Sequence, residues 1–270
     1  MRIAVVGATG QLGRQVPGDI RLGHADLDLT RPDLRRLAGA EGVILAAAYT
    51  DVDGCETNRE HAFAVNAEGP RRIARWCCEN AAWLLYVSTN CVFDGEQDAP
   101  YEEDAEPNPI SVYGASKLAG EHAVREELDR HFIVRSSWLF GPGGNNFVTK
   151  ILAAAQAQPV LRGVEDEISS PTSALDLGPA LVKLAETGRF GTYHLTNQGA
   201  CSRLEYIRAI LSLAGLSNSV EPMRLADFRR PSRPPAQSAL ANTRAAALGI
   251  SLRRWQDALA EYVPTLKVPA

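Results

Sequence analysis

Arg2-Ile-Ala-Val-Val-Gly7-Ala-Thr-Gly10-Gln-Leu-Gly13 opens the chain with a short apolar run that ends on glycine, followed by two more glycines at intervals of three. Residues 2–6 predict a parallel strand buried on both faces. Gly7 permits a tight turn out of that strand. Gly10 lets the backbone approach a pyrophosphate, and Gly13 lets helix and strand pack closely. A helix N-terminus placed there attracts phosphate charge. A plain Gly-rich turn would carry the same residues, but the strand-glycine-helix context favours a bound dinucleotide.

Outward from this turn, strands alternate with helices. A helix is expected from near Gln11, ended early by Pro17-Gly18. A short strand follows near Ile20 to Leu22, then the acidic stretch Asp26-Leu-Asp28-Leu-Thr30. Residues 42–48, 83–88 and 132–136 read as strands. Residues 57–80 read as helical, interrupted near Asn66 and Gly69-Pro70, and 111–128 as a second long helix. The long, acidic, Pro-rich loop from Thr89 to Pro109 has the length of a functional loop. This order predicts an α/β fold, a Rossmann-like doubly wound parallel sheet.

Beyond Ser136 the pattern changes. Gly141 to Gly144 is a flexible turn. Helices are expected over 146–155, 173–186, 205–213 and 253–262, with a returning strand over 192–195 and a Pro/Arg loop over 229–235. Residues 1–136, with later returns near 170–196, are expected to form the NAD(P)-binding domain. Residues 137–270 would form mainly a smaller substrate-binding lobe on the carboxyl edge of the sheet.

The 270 residues carry 28 basic and 32 acidic side chains, a net charge of −4. That offers no basic footprint for nucleic acid and no polybasic membrane patch. No apolar run approaches the ~20 residues needed to span a bilayer. Met1 leads directly into the first strand, so no signal peptide is expected and the location is read as cytoplasmic. Five cysteines without a C-x-x-C pair suggest reduced thiols, and five scattered histidines give no metal-ligand spacing, so no metal is expected.

Tyr113-Gly-Ala-Ser-Lys117 carries the chemistry. Residues four apart share one face of a helix, so both side chains reach one reaction centre. A phenol with an ordinary pKa of ~10 is a poor acid unless its anion is stabilised. A neighbouring ammonium supplies that stabilisation and lowers the pKa. The pair then serves as a proton donor for a carbonyl that receives hydride. An exposed helix carries Y-x-x-x-K by chance often, and the glycine turn upstream gives the pair its weight.

The G-x-x-G-x-x-G spacing resembles that of the extended short-chain dehydrogenase/reductases. Further blocks resemble the dTDP-4-dehydrorhamnose reductases: Ala47-Ala-Tyr-Thr-Asp-Val-Asp-Gly-Cys-Glu56, Val65-Asn66-Ala67, Tyr86-Val-Ser-Thr-Asn-Cys-Val-Phe-Asp-Gly95 and Tyr113-Gly-Ala-Ser-Lys-Leu-Ala-Gly-Glu121. Arg135-Ser-Ser-Trp138, Asn146-Phe147, Ser170-Pro-Thr172, Arg233-Pro and Ser238-Ala-Leu240 extend the similarity over nearly the whole chain. The resemblance implies reduction of the 4-keto group of a dTDP-activated 6-deoxyhexose. Tyr113 would be the acid, Lys117 its partner, and Thr89 the hydroxyl that orients the keto oxygen; a strand-end cap is the competing reading of Thr89.

By the same resemblance Gly7, Thr9, Gly10, Gln11, Leu12 and Gly13 would hold the cofactor phosphates, and Asp28 with Leu29 would approach the adenine. Ala46, Ala47 and Ala48 would let the cofactor pass over the sheet. Asn66, Ser88, Tyr113 and Lys117 would stand near the nicotinamide ribose, with a helix N-cap as the alternative for Asn66. Val52, Thr89, Asn90, Cys91, Trp138, Asn146 and Arg233 would contact the substrate. A core tryptophan is the alternative for Trp138, and Arg229 and Arg230 compete with Arg233 for the diphosphate.

Three departures from the family bear on function. Ser88-Thr89-Asn90-Cys91 stands where Ser-Thr-Asp-Tyr is usual. The first helix and second strand are clipped, and Gly23-His24 supplies no acid for the adenosine ribose; Arg21 and His24 point to NADPH, with NADH also compatible. Asp166-Glu-Ile-Ser-Ser170-Pro-Thr replaces the common Asp-Gln-x-Gly-x-Pro-Thr. Two alternatives stay open: a sugar-nucleotide epimerase or dehydratase, and a non-catalytic NADP-binding regulator resembling the methionine adenosyltransferase β-subunit. A monomer or homodimer is expected, without nucleic-acid or membrane partners.

Overall fold

Five apolar runs of the first half of the chain become β1 (Ile3–Val6), β2 (Ile20–Leu22), β3 (Gly42–Leu45), β4 (Trp83–Thr89) and β5 (His131–Ser136) in the computed structural model, which describes residues 1–266. The later strands are β6 (Leu139–Phe140), β7 (Val160–Val164), β8 (Ile168–Ser169), β9 (Thr172–Ser173), β10 (Gly191–His194), β11 (Cys201–Ser202) and β12 (Ser219–Met223). The helices are α1 (Val52–Thr57), α2 (Arg59–Phe63), α3 (Gly69–Glu79), α4 (Val112–Glu127), α5 (Phe147–Ala157), α6 (Ala174–Glu186), α7 (Arg203–Leu213), α8 (Thr243–Ala247) and α9 (Trp255–Tyr262). The main sheet runs β10-β5-β4-β3-β1-β2 and is parallel throughout. The chain leaves β1 for β2 on one side and returns to β3 on the other. That reversal opens a crevice at the carboxyl ends of the strands, where Val6 pairs with both Leu22 and Leu45.

Both sheet faces are covered, as the uninterrupted apolar strands require. On one face Ile3, Val5, Leu12 and Val16 pack with Leu177, Leu181 and Leu184 of α6. On the other, Ala4 and Val6 pack with Leu27, Leu29, Leu37, Ile73 of α3 and Val124 of α4. The helix expected from Gln11 does not form; the chain makes only a 3-10 turn over Gly13–Gln15. Pro17 has no N–H to give to the Gly13 carbonyl, so the turn cannot propagate. The uncovered face is taken by α6, which comes so near that a Cβ on Gly178 would lie 2.3 Å from the Gln15 carbonyl oxygen.

The helical stretch expected over 57–80 starts earlier, at Val52, and passes through a π turn over Ala64–Glu68 that contains Asn66. Gly69-Pro70 does not interrupt it but opens α3, where proline is tolerated. In the second half, Phe140, Val148, Tyr206, Trp255, Leu259 and Tyr262 form a separate apolar cluster joining α5, α7 and α9. The parallel ribbon of β7 with β12 was not expected from sequence. Pro222 lies within β12, and proline reads against a strand except at an edge, which is where this ribbon places it. Positions 267–270 of the lobe expected over 137–270 lie outside the described residues.

Among the described residues no helix is long and apolar enough to cross a membrane. The five cysteines are free thiols. Gly178→Ala tests the packing of α6. In an exposed helix that change gains about 1 kcal/mol. Here the new methyl meets backbone, so urea unfolding is expected to show a net loss of about 1–3 kcal/mol.

Candidate active site

The glycine turn is built for close approach. Gly7 has φ +89°, and a Cβ there would lie 2.6 Å from Ala47 N. A Cβ on Gly13 would lie 2.1 Å from the Gly7 carbonyl oxygen. Ala46 N and Ala47 N both donate to Val6 O, at 2.9 and 3.1 Å, which carries β3 past the turn. The turn, Thr9 to Gly13, forms one wall of a cavity of about 960 Å³ over the carboxyl edge of the sheet. Ala46, Ala47 and Ala48 floor it, while His24, Asp28, Leu29 and Thr30 line the end nearest β2. The Asp28 carboxylate accepts from Thr30 N at 2.8 Å and Thr30 Oγ1 at 2.9 Å, and these bonds hold it below the usual carboxylate range. This cradle of glycine and alanine, which side chains would fill, fits a dinucleotide.

The opposite wall comes from β4 and α4. Ser111 caps α4, its Oγ accepting from Gly114 N at 3.1 Å. Gly114 and Gly120 bring the helix against its neighbours: a Cβ would lie 2.0 Å from Cys91 O at the first and 2.1 Å from Asn66 O at the second. Tyr113, Lys117 and Glu121 then follow one another along the face turned to β4. Lys117 is buried; its Nζ donates to Val87 O at 2.8 Å and lies 4.0 Å from the centre of the Tyr86 ring. Burial pushes its pKa down to about 7, and the Glu121 charge opposes that only in part.

Tyr113, Lys117, Ser88 and Thr89 all line the cavity. The Tyr113 phenol does not show the lowered pKa expected from its lysine. Burial raises it well above the ordinary tyrosine value, Cys91 adds to the rise, and the Thr89 hydroxyl opposes it. The physical reason is that the ammonium is directed at the Val87 carbonyl rather than at the phenol. The Thr89 hydroxyl also accepts from Cys91 N at 3.2 Å, the backbone cap weighed against its catalytic role. Ser136 closes this wall; its hydroxyl is buried with no hydrogen-bond partner among the described residues.

Glu121 fixes the wall to the sheet. It accepts from Arg135 Nε at 2.9 Å and Nη2 at 2.7 Å, from Ser88 Oγ at 2.6 Å and from Arg125 Nη2 at 3.1 Å. Burial alone would raise its pKa, but the Arg135 hydrogen bonds and charge, with Ser88, hold it below the usual carboxylate range.

Three expected site residues are occupied elsewhere. Asn66 is buried and does not line the cavity; its Oδ1 accepts from Tyr49 N at 2.8 Å, and its Nδ2 donates to Tyr49 O and Ser116 Oγ. It clamps the loop after β3 to α4, and it is not the N-cap of the following helix, a place taken by Glu68. Arg21 is turned under the glycine turn, donating to the carbonyls of Val16, Gly13 and Ala8, so it does not face a ribose phosphate. Asn146 touches the cavity wall, but its side chain caps α5 and donates to Gly141 O and Tyr262 Oη.

Around Asn90 two of the three departures from the family pattern meet. Asn90 is buried, donating to Ser238 Oγ at 2.7 Å and Ser169 Oγ at 3.1 Å and accepting from Thr89 Oγ1 at 3.2 Å. Asparagine at 90 and serine, where glycine is common, at 169 are thus direct partners. Cys91 and Val52 line the cavity. Trp138 lines it with a positive φ of 40°, a conformation that is strained for a tryptophan and clusters at functional sites. The Arg203 guanidinium lies 3.4 Å from the centre of its ring and pairs with Glu167 at 3.1 Å. Arg230 pairs with Asp53 at 3.0 Å, leaving Arg233 as the arginine of the Pro/Arg loop that lines the cavity with no ion pair among the described residues. Glu167, Arg203 and Ser238 also line the cavity without having been expected there; Glu167 and Ser238 lie within quoted motifs, whereas nothing in the sequence singled out Arg203.

The RmlD substrate binding domain model matches residues 1–268. The dTDP-4-dehydrorhamnose reductase of Mycobacterium tuberculosis is 38% identical over 96% of this chain and 91% of its own length. A solved dTDP-4-dehydrorhamnose reductase from Clostridium acetobutylicum superposes with a TM-score of 0.95 at 34% identity, covering 99% of this chain and 100% of that one. The Bacillus anthracis enzyme, solved in complex with NADP, gives 0.92 at 34% identity, covering 98% and 99%. A family match over nearly the whole chain, with the same fold and relatives above 30% identity, makes this protein a member of the dTDP-4-dehydrorhamnose reductase family.

Proposed function

We propose that this protein reduces the 4-keto group of a dTDP-activated 6-deoxyhexose with NADPH as the hydride donor and NADH as the alternative donor. The observation that carries the reading is one cavity lined at once by the glycine turn, by Thr89, Tyr113 and Lys117, and by Arg233. The NADP complex of the Bacillus anthracis relative supports the choice of cofactor. So does the end of β2: Gly23-His24 supplies no carboxylate, and the nearest acid, Asp26, is turned onto Gly23 N at 2.9 Å. In the reading, 137–270 hold mainly the sugar nucleotide and Arg233 binds its diphosphate, since Arg230 is held by Asp53. The free thiols support a cytoplasmic location; sedimentation distinguishes a monomer from a homodimer.

The nicotinamide, when bound, supplies a hydride to the keto carbon. Tyr113 delivers the phenolic proton to the keto oxygen, so the carbonyl becomes a secondary alcohol. Thr89, turning its single hydroxyl hydrogen away from Asn90 Oδ1, donates a hydrogen bond to that oxygen and fixes its direction. Lys117 has three donors, one of them given to Val87 O; the others are available to the cofactor ribose and, as charge develops, to the phenolate. The high pKa of Tyr113 keeps it protonated, as a proton donor must be. In the resting site the ammonium faces the Val87 carbonyl, so it stabilises the phenolate only as the proton leaves.

Oxidation of NADPH and NADH is measured with enzymatically generated dTDP-4-keto-6-deoxy sugar, with and without a 3,5-epimerase. Turnover that needs the epimerase supports the rhamnose-type substrate, and no oxidation by either cofactor contradicts the reading. Tyr113→Phe is expected to lower kcat by about 10²- to 10⁴-fold with cofactor affinity unchanged, read by stopped-flow and calorimetry; full activity would remove Tyr113 as the acid.

The Lys117 pKa of about 7 sets a second expectation. The ammonium form, present below that pKa, is the one that favours a polyanionic cofactor. As pH rises through 7 the lysine loses its proton and affinity falls. Calorimetry at pH 8 in buffers of different ionisation enthalpy should therefore show proton uptake on NADPH binding, lost in Lys117→Met. Equal proton uptake in both proteins would assign it to another group.

A further inference from the structure

The turn that should bind the dinucleotide diphosphate lacks the helix that normally stands behind it. Residues 7–19 hold only the 3-10 turn Gly13–Gln15. A full helix would end there in roughly half a positive elementary charge from aligned peptide dipoles. A single 3-10 turn sums too few dipoles to supply it. It also leaves carbonyls without the N–H partners that further turns would bring, and Pro17 has none to give to Gly13 O.

Arg21 fills that place. It stands on β2 and reaches back beneath the turn. Its Nη1 donates to Val16 O at 2.8 Å, and its Nη2 to Gly13 O at 2.9 Å and Ala8 O at 3.4 Å. Arg14 adds a second cation on the near side, its Nε donating to Thr9 O at 2.7 Å. Neither arginine pairs with a carboxylate among the described residues. A guanidinium is charged at every working pH and offers several donors in a fixed fork. One such group can therefore satisfy three carbonyls and place a whole charge behind the N–H groups of the turn.

We infer that Arg21 is a positioning residue that replaces the missing helix, orienting the glycine turn and supplying the positive potential that holds the diphosphate of the dinucleotide. It acts through the backbone and does not touch the ligand. The inference rests on the cofactor reading above.

The test uses the full chain with NADPH fluorescence as the probe, and ADP and adenosine as competitors. ADP carries a diphosphate and adenosine none. Arg21→Gln is expected to weaken ADP about tenfold, with adenosine changed less than about twofold. Arg21→Lys, which keeps the charge and one donor, should recover part of the loss. Because Arg21 is partly exposed, the difference between wild type and Arg21→Gln should shrink as salt rises from ~50 mM to ~500 mM. Equal losses for ADP and adenosine would overturn the inference, as would Lys and Gln variants that behave alike, since Arg21 would then only shape the turn. Wild-type protein that binds NADPH with all three proteins showing one ADP affinity also overturns it. Wild-type protein that does not bind NADPH overturns the cofactor reading, and this inference with it.

Discussion

Glu121 and Arg135, 0% and 2% exposed, are the pair on which the catalytic wall depends. Withdrawing two charges from water costs several kcal/mol each, which is repaid only by good geometry and further hydrogen bonds. Both are present. The pair is bidentate, and Ser88 and Arg125 use the remaining acceptor capacity of the carboxylate. Glu121 is one turn from Lys117 and two from Tyr113 on α4, while Ser88 and Arg135 come from β4 and β5. The ion pair therefore fixes the rotation and height of the helix against the strand that ends in Thr89. An apolar contact could hold α4 on the sheet, but it would not choose one rotation so sharply.

The same network reaches the edge strand β10. Arg135 Nη1 lies 3.5 Å from His194 Nε2, and His194 Nδ1 faces the carbonyls of Tyr101 and Ala241 at 3.0 and 3.2 Å. Burial and Arg135 push the His194 pKa down to about 4. The neutral ring then accepts from Arg135 through Nε2 and donates through Nδ1. Glu103 accepts from His194 N, Arg244 N and Thr243 Oγ1. Tyr101 and Ala241 exchange backbone bonds with their neighbours across this point, so the long acidic loop and the segment before α8 are docked on β10. That docking keeps Ser238 against Asn90.

Much of this was legible in the sequence because it is local. Continuous apolar runs mark β1, β3, β4 and β5, and the i, i+4 spacing puts Tyr113 and Lys117 on one helix face. What was not legible depends on partners far away along the chain. Asn66 is claimed by Tyr49 and Ser116, and Asn146 by Tyr262. Glu167 meets Arg203 only because β8 and β11 pair. The clipped first crossover was visible as a shortage of residues, but its remedy, an arginine read as a ribose-phosphate ligand, was not. The lowered phenol pKa failed as an expectation because sequence spacing gives proximity and not direction: Lys117 points to a carbonyl of β4.

The decisive measurement is a double-mutant cycle on Glu121 and Arg135, read by urea unfolding. Glu121→Leu and Arg135→Met alone should each cost about 3–5 kcal/mol, because each leaves a buried charged group unpaired. The combined Glu121→Leu and Arg135→Met protein should regain most of that stability while turnover with the keto sugar stays low, because the apolar pair no longer sets the rotation of α4. Single variants that cost under about 1 kcal/mol, or a double variant with full turnover, would show that the catalytic wall is positioned by something else.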